Sequence, residues 1–111
     1  MKHRKVSILG TGIALPGRRV TSEEMDDMLG TSPGWVLKKT DVRQRYFVQH
    51  ETASQMGAAA AERALQAAKL SFDEIDCLVC VSGTAEQPIP STASLIQREM
   101  GYGRSGTPAF D

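Results

Sequence analysis

What the chain lacks narrows its function first. It has no surplus of either charge, because 13 Lys and Arg balance 13 Asp and Glu. Nucleic acid and anionic membrane both select a basic surface, so neither is expected as the main partner. A chain near zero charge also resists self-association poorly, which suits an oligomer. It has no apolar run that approaches a membrane span. Its start, MKHRKVSILG, is basic but has neither the longer apolar core nor the small-residue cleavage site of a signal peptide. The expectation is a cytoplasmic protein whose first strand begins almost at once.

Cysteine is scarce as well. Cys77 and Cys80 form a C-x-x-C within CLVC, a spacing that suits a redox pair or half a zinc site. The surrounding DCLVCV reads as a strand, however, and residues three apart on a strand point to opposite faces. There is no second cysteine pair, and His3 and His50 stand alone, so a metal has too few ligands. Two small buried apolar residues are the expectation. The sequence also has no internal repeat, no low-complexity tract, and no nucleophile–base pair with an orienting partner. Glu23, Glu24, Asp26 and Asp27 read as a solvated helix start, and Asp73, Glu74 and Asp76 as a turn.

What is there is an α/β pattern. At 111 residues the chain is about one domain, with ordinary globular composition. Val6 to Leu9 reads as a buried strand ended by Gly10. The GTG that follows fits G-x-G-x-x-G poorly: the third glycine would fall at Leu15, and Pro16 blocks a helix there. A tight turn is expected instead. Thr21 or Ser22 caps a short helix, with Glu24 at capping-box spacing from Thr21, an apolar face of Met25, Met28 and Leu29, and a stop at Gly30. Ser32 and Pro33 are placed as N-cap and first residue of a second short helix. Arg43 to Val48 alternates as a strand or extended arm in contact on both faces. Glu51 to Lys69 is the clearest helix, capped by Thr52, with Met56, Ala60, Ala64 and Ala67 as its buried stripe and Gly57 marking close approach to a neighbour. CLVCVSG then reads as an apolar strand covered on both faces, Thr92 to Met100 as a helix facing in through Ala93, Ile96 and Met100, and Thr107 to Phe110 as the next strand. Alternating strands and helices imply a layered α/β fold with a largely parallel sheet.

One cluster has the chemistry of a ligand site. In TSPGWVLKKT, Trp35 and Lys39 are four apart, so they share one face of a short helix. Such a pair suits a flat aromatic ligand, with the indole on one side and a cation beside it, and the cation also suits a phosphate. A core Trp beside a surface Lys fits the same spacing.

The segments ILGTGIALP, TSPGW followed by KKTDVRQR, ETASQMGAAAAERAL, CLVCVSGT, PIPSTASLIQREMG and PAFD lie in one order along essentially the whole chain. In that order they resemble the N-terminal part of the β-ketoacyl-acyl-carrier-protein synthase III family, condensing enzymes of the thiolase superfamily. The resemblance implies most of the first half of a thiolase-like layered α/β/α/β/α fold with a mixed, mostly parallel sheet, residues 1–111 forming one N-terminal part. It implies an acyltransferase that moves an acyl group from acyl-CoA to a cysteine and joins it to malonyl-acyl carrier protein by decarboxylative Claisen condensation, as in fatty acid biosynthesis. Acyl-CoA is then a substrate, no resident cofactor or metal is expected, and the enzyme is a homodimer. The family nucleophile comes a few residues after PAFD, and its His and Asn lie much further along, so no catalytic residue is expected within this chain and no activity from it alone. Cys77 and Cys80 do not match the nucleophile.

By the same resemblance Trp35 stacks on the adenine of CoA, with Thr31 near the ring. Lys39 stands where relatives often carry Arg, which keeps the charge but loses the planar stack. Asp41 replaces a common Gly, a change that Asp bears because it tolerates left-handed backbone. Ile89 matches the residue that reaches across the dimer to close the partner's acyl pocket. Being smaller than Phe, it implies a primer other than acetyl. The alternative is a non-catalytic half-ketosynthase that keeps a CoA-binding or dimerisation surface without chemistry.

Overall fold

The computed structural model describes residues 3–111, which fall into two compact units. The first comprises the N-terminal segment to Ala14 together with Thr52–Asp111, and the second is Leu15–Glu51.

The second unit pairs a two-stranded antiparallel sheet with two short helices. Strand β1 (Arg18–Thr21) lies beside β2 (Gln44–Phe47), with Arg18 opposite Phe47 and Thr21 opposite Gln44. Helix α1 (Ser22–Leu29) starts directly from β1. Thr21 caps it, with Glu24 completing the capping box as its spacing predicts. Gly30 ends it in the left-handed conformation at φ +65°. Helix α2 (Trp35–Thr40) follows, and its cap is Gly34 rather than Ser32. Ser32, Pro33 and Gly34 instead form a turn closed by the Trp35 N–H donating to the Ser32 carbonyl at 3.1 Å. Asp41 ends α2 at φ +53°, the left-handed backbone expected of it.

This unit is held by hydrogen bonds more than by apolar volume. Val20 and Val36 are its buried hydrophobic residues, and Ser22 and Asp26 are buried beside them. The Ser22 hydroxyl donates to the Val42 and Arg43 carbonyls, and its N–H to the Arg43 carbonyl at 2.9 Å, tying α1 to the start of β2. Glu51 closes the unit. Its carboxylate accepts N–H groups from Gly17 at 2.8 Å, Gln49 at 2.8 Å and His50 at 3.1 Å, so residues far apart in sequence meet on one side chain. The apolar face assigned to α1 does not hold: Met28 and Leu29 are more than half exposed, because α1 turns Ser22 and Asp26 inward instead.

The first unit is built on α3 (Ala53–Ala68) and α4 (Thr92–Glu99), with a 3-10 turn (Phe72–Glu74) and the strands β3 (Leu78–Val79) and β4 (Ala109–Phe110). Thr52 caps α3, and Gln55 completes its capping box. The buried stripe of α3 runs through Ser54 and Ala58 rather than Met56 and Ala67, and Ala67 is exposed. β3 and β4 pair in parallel, Leu78 with Ala109 and Val79 with Phe110, with α4 between them in sequence. Ala58, Phe72, Ala93, Leu95 and Ile96 form the core, and Phe72 stacks on Tyr102 at 4.2 Å.

Glycine sets the helix contacts. A Cβ on Gly57 would stand 2.5 Å from Ile96 Cδ1, so the expected close approach is to α4. Gly10 and Gly12, the GTG pair, lie against the backbone of α3: a Cβ on Gly10 would meet the Ala64 carbonyl oxygen at 2.5 Å. The motif serves packing, neither a free turn nor a phosphate cradle.

Three strands are shorter or barer than their sequences imply. Val6–Leu9 joins no ladder among the described residues, and Val6 is 89% exposed. β3 covers only Leu78–Val79 of CLVCVSG, with Val81 96% exposed. β4 is two residues long, with Phe110 half exposed. A strand needs a hydrogen-bonded neighbour and cover on its faces, and these segments have too few within the described residues.

Candidate functional site

The Trp35 cluster is organised by a carboxylate. Asp26, on α1, is 3% exposed. Its Oδ1 accepts the Val36 N–H at 2.8 Å and the Thr31 hydroxyl at 2.9 Å, and its Oδ2 accepts the Gly34 N–H at 2.8 Å. The Thr31 N–H also donates to the Asp26 carbonyl at 3.0 Å. The Val36 N–H, with smaller help from Thr31 and Gly34, holds the Asp26 carboxyl below its ordinary value against the opposing effect of burial. This buried anion therefore stays charged and fully paired.

The three residues assigned to adenine lie together in this unit. Thr31 is half-buried, Trp35 is 42% exposed at the start of α2, and Lys39 is exposed one turn later. Trp35 is the chain's single tryptophan and keeps much of its ring open. Lys38 and Lys39 fall in the last turn of α2, where cations suit the helix dipole. Sequence reasoning placed Asp26 among solvated acids and so missed the residue that holds the cluster. A carboxylate's partners from a later loop leave no periodic signal.

Ile89 belongs to the other unit, on the loop between β3 and α4, and is 86% exposed. Glu86 moors that loop: its Oε2 accepts the Ser54 N–H at the start of α3 at 2.7 Å, which lowers its pKa. Asp111 has a similar place at the end of β4. Its two carboxylate oxygens accept the Thr92 and Ala93 N–H groups at 2.7 Å each, at the start of α4. The Ala93 N–H, followed by that of Thr92, lowers the Asp111 pKa. The last strand and α4 are thus joined end to end.

The cysteines make no site. Cys77 is exposed, contrary to its expected burial, and Cys80 is half-buried; both are free thiols. Burial, with a smaller effect from the Asp111 charge, raises the Cys80 pKa and disfavours the thiolate. Among the described residues no cluster of His, Cys, Asp or Glu could hold a metal ion. A cavity of about 390 Å³ in the same unit is lined by Leu9, Ala64, Leu65, Phe72, Leu78 and Met100 among others, and its walls are almost wholly apolar.

The fold has the thiolase-like α/β class. A solved 3-oxoacyl-[acyl-carrier-protein] synthase III from Aquifex aeolicus superposes with a TM-score of 0.86 at 34% identity, covering 94% of this chain and 33% of that one. The tetronic acid condensing enzyme AbyA1 superposes at 0.81 with 27% identity, over 94% of this chain and 33% of its own. In sequence, β-ketoacyl-[acyl-carrier-protein] synthase III of Neisseria gonorrhoeae is 36% identical over the whole chain, which covers 34% of that protein. No protein-family model matches the chain. The chain is similar along its whole length to β-ketoacyl-acyl-carrier-protein synthase III proteins, and spans about a third of the length of these relatives.

Proposed function

We propose that residues 1–111 are the N-terminal part of an acyltransferase of the synthase III type. The reaction is a decarboxylative Claisen condensation. An acyl group passes from CoA to a cysteine with release of the CoA thiol. A malonyl-carrier protein then loses carbon dioxide, and its α-carbon attacks the acyl thioester, forming the new C–C bond and releasing the cysteine thiolate. The observation that carries this reading is the 36% identity to a synthase III over every part of the chain. The half-open Trp35 ring at the start of α2, one turn from Lys39 and in the same unit as Thr31, supports the assignment of these three to CoA adenine.

In this reading Trp35 supplies the stacking face and Lys39 a cation at the ring edge or phosphate. Ile89 closes the acyl pocket of a second copy, and its size leaves room for a primer longer than acetyl. The nucleophilic Cys and its His and Asn partners lie outside these residues, so the chain alone transfers no acyl group. CoA enters as substrate, no metal or resident cofactor takes part, and the enzyme works in the cytoplasm.

The test compares the 111-residue chain with the same sequence extended to the length of its relatives, each given a series of acyl-CoA primers and malonyl-carrier protein. Condensation by the extended form alone, with primers beyond acetyl, is expected. An extended form that binds CoA but never condenses would make the protein a non-catalytic half-ketosynthase. Use of acetyl-CoA only would sink the assignment of Ile89.

A further inference from the structure

We infer that Asp26 is the positioning residue of the Trp35 platform: by holding the amides on either side of Trp35, its carboxylate sets the direction in which the indole meets a bound adenine. This rests on the reading of Trp35 as the adenine wall given above.

The geometry is specific to a carboxylate. Oδ2 takes the Gly34 N–H and Oδ1 the Val36 N–H, each at 2.8 Å. Those are the residues immediately before and after Trp35. Pinning the Val36 N–H fixes the peptide plane that follows Trp35, and pinning the Gly34 N–H fixes the plane that enters Gly34, so the short stretch that carries the Trp35 Cα–Cβ bond is held at both ends. The Thr31 hydroxyl donates its proton to the same Oδ1 at 2.9 Å, so Thr31 offers a ligand only its methyl group and oxygen lone pairs. One side chain therefore bears on both the Trp35 backbone and the Thr31 side chain.

The neighbouring Asp27 is exposed, so α1 does not bury acid generally. Gly34 brings no side-chain cap of its own to α2 and sits at φ +81°, which leaves the start of α2 dependent on Asp26. A buried carboxylate is tolerated only when paired, and every partner of this one lies in the segment that presents Trp35 and Thr31. Asparagine has nearly the same shape but a single acceptor oxygen. Its NH2 group would face one of the two amide N–H donors, so Asp26→Asn should turn the Trp35 loop without emptying the space.

Trp35 is the only tryptophan, so its fluorescence reports on this position alone. The wild-type chain and Asp26→Asn are titrated with coenzyme A and, separately, with phosphopantetheine, which lacks the adenine. In the wild type, coenzyme A is expected to quench Trp35 and phosphopantetheine to leave it unchanged. In Asp26→Asn, the amide resonances of α1, β1 and β2 should stay in place while those of Gly34 and Val36 move. Affinity for coenzyme A should fall on the order of tenfold, the scale of a lost hydrogen bond to a charged group. An Asp26→Asn chain that binds coenzyme A as the wild type does would overturn the inference and leave the adenine reading standing. Loss of the α1, β1 and β2 resonances would also overturn it, making Asp26 a residue of general stability. A wild type that coenzyme A does not quench would overturn the adenine reading, and this inference with it.

Discussion

At the scale of single residues, carboxylates that accept backbone N–H groups recur: Glu24, Asp26, Glu51, Glu86 and Asp111 all have lowered pKa values. Glu51 is the strongest case. The N–H of Gln49, followed by that of Gly17, brings it from 4.5 down to about 2. A depressed carboxylate stabilises the folded state above its unfolded pKa and loses that contribution as pH falls through its folded one. Glu51 therefore stabilises its unit fully above pH 4.5 and loses this progressively down to about pH 2. Glu51→Gln should lower the urea midpoint at neutral pH, and the gap to wild type should close across that interval. A gap unchanged with pH would show that its charge is not what matters. Of these acids, only Glu24 had a recognisable role in the sequence, because Thr21 and Glu24 are partners within one turn. Asp26 and Asp111 find their partners across loops, and no spacing announces that.

At the scale of elements, helix ends were legible where local chemistry decides them. Thr21, Thr52 and Gly30 stand where capping rules put them. Ser32 failed as a cap because Asp26 takes over the start of α2 from a distance. β1 went unread, since RRVT is short, mostly polar, and made a strand only by pairing with β2. The contact of α3 with α4 yields a sharp expectation. Gly57→Ala should destabilise the fold by up to about 2 kcal/mol, because overpacking against Ile96 costs about 1–3 kcal/mol and Ala recovers only ~1 kcal/mol over Gly in a helix. Adding Ile96→Val, which removes the Cδ1 atom at 2.5 Å but keeps Cγ1 at 2.8 Å, should restore part of that loss. A double-mutant cycle in thermal unfolding checks the coupling, and additive effects would place the strain elsewhere.

At the scale of the whole molecule, the first unit leaves apolar side chains bare along the segments expected to be buried strands. Val6, Ile8 and Val81 are each more than four-fifths exposed, and Val79 and Phe110 more than half. Monomeric proteins seldom leave large contiguous apolar patches open. With no net charge to hold copies apart, the isolated 111-residue chain should bind a hydrophobic dye and sediment as concentration-dependent oligomers. A monodisperse monomer that binds no dye and unfolds cooperatively would show that these segments need no further cover.

By itself the sequence determined the caps of α1 and α3, the mixed helix-and-strand class and the resemblance to the family. Each rests on spacing within one element, or on residues kept in order along the chain. Tertiary structure alone decided which acid takes the Gly34 and Val36 N–H groups, why the GTG pair must be glycine, and which strands find partners. Those outcomes depend on groups distant in sequence meeting at hydrogen-bond or van der Waals range, and periodicity carries no record of such meetings.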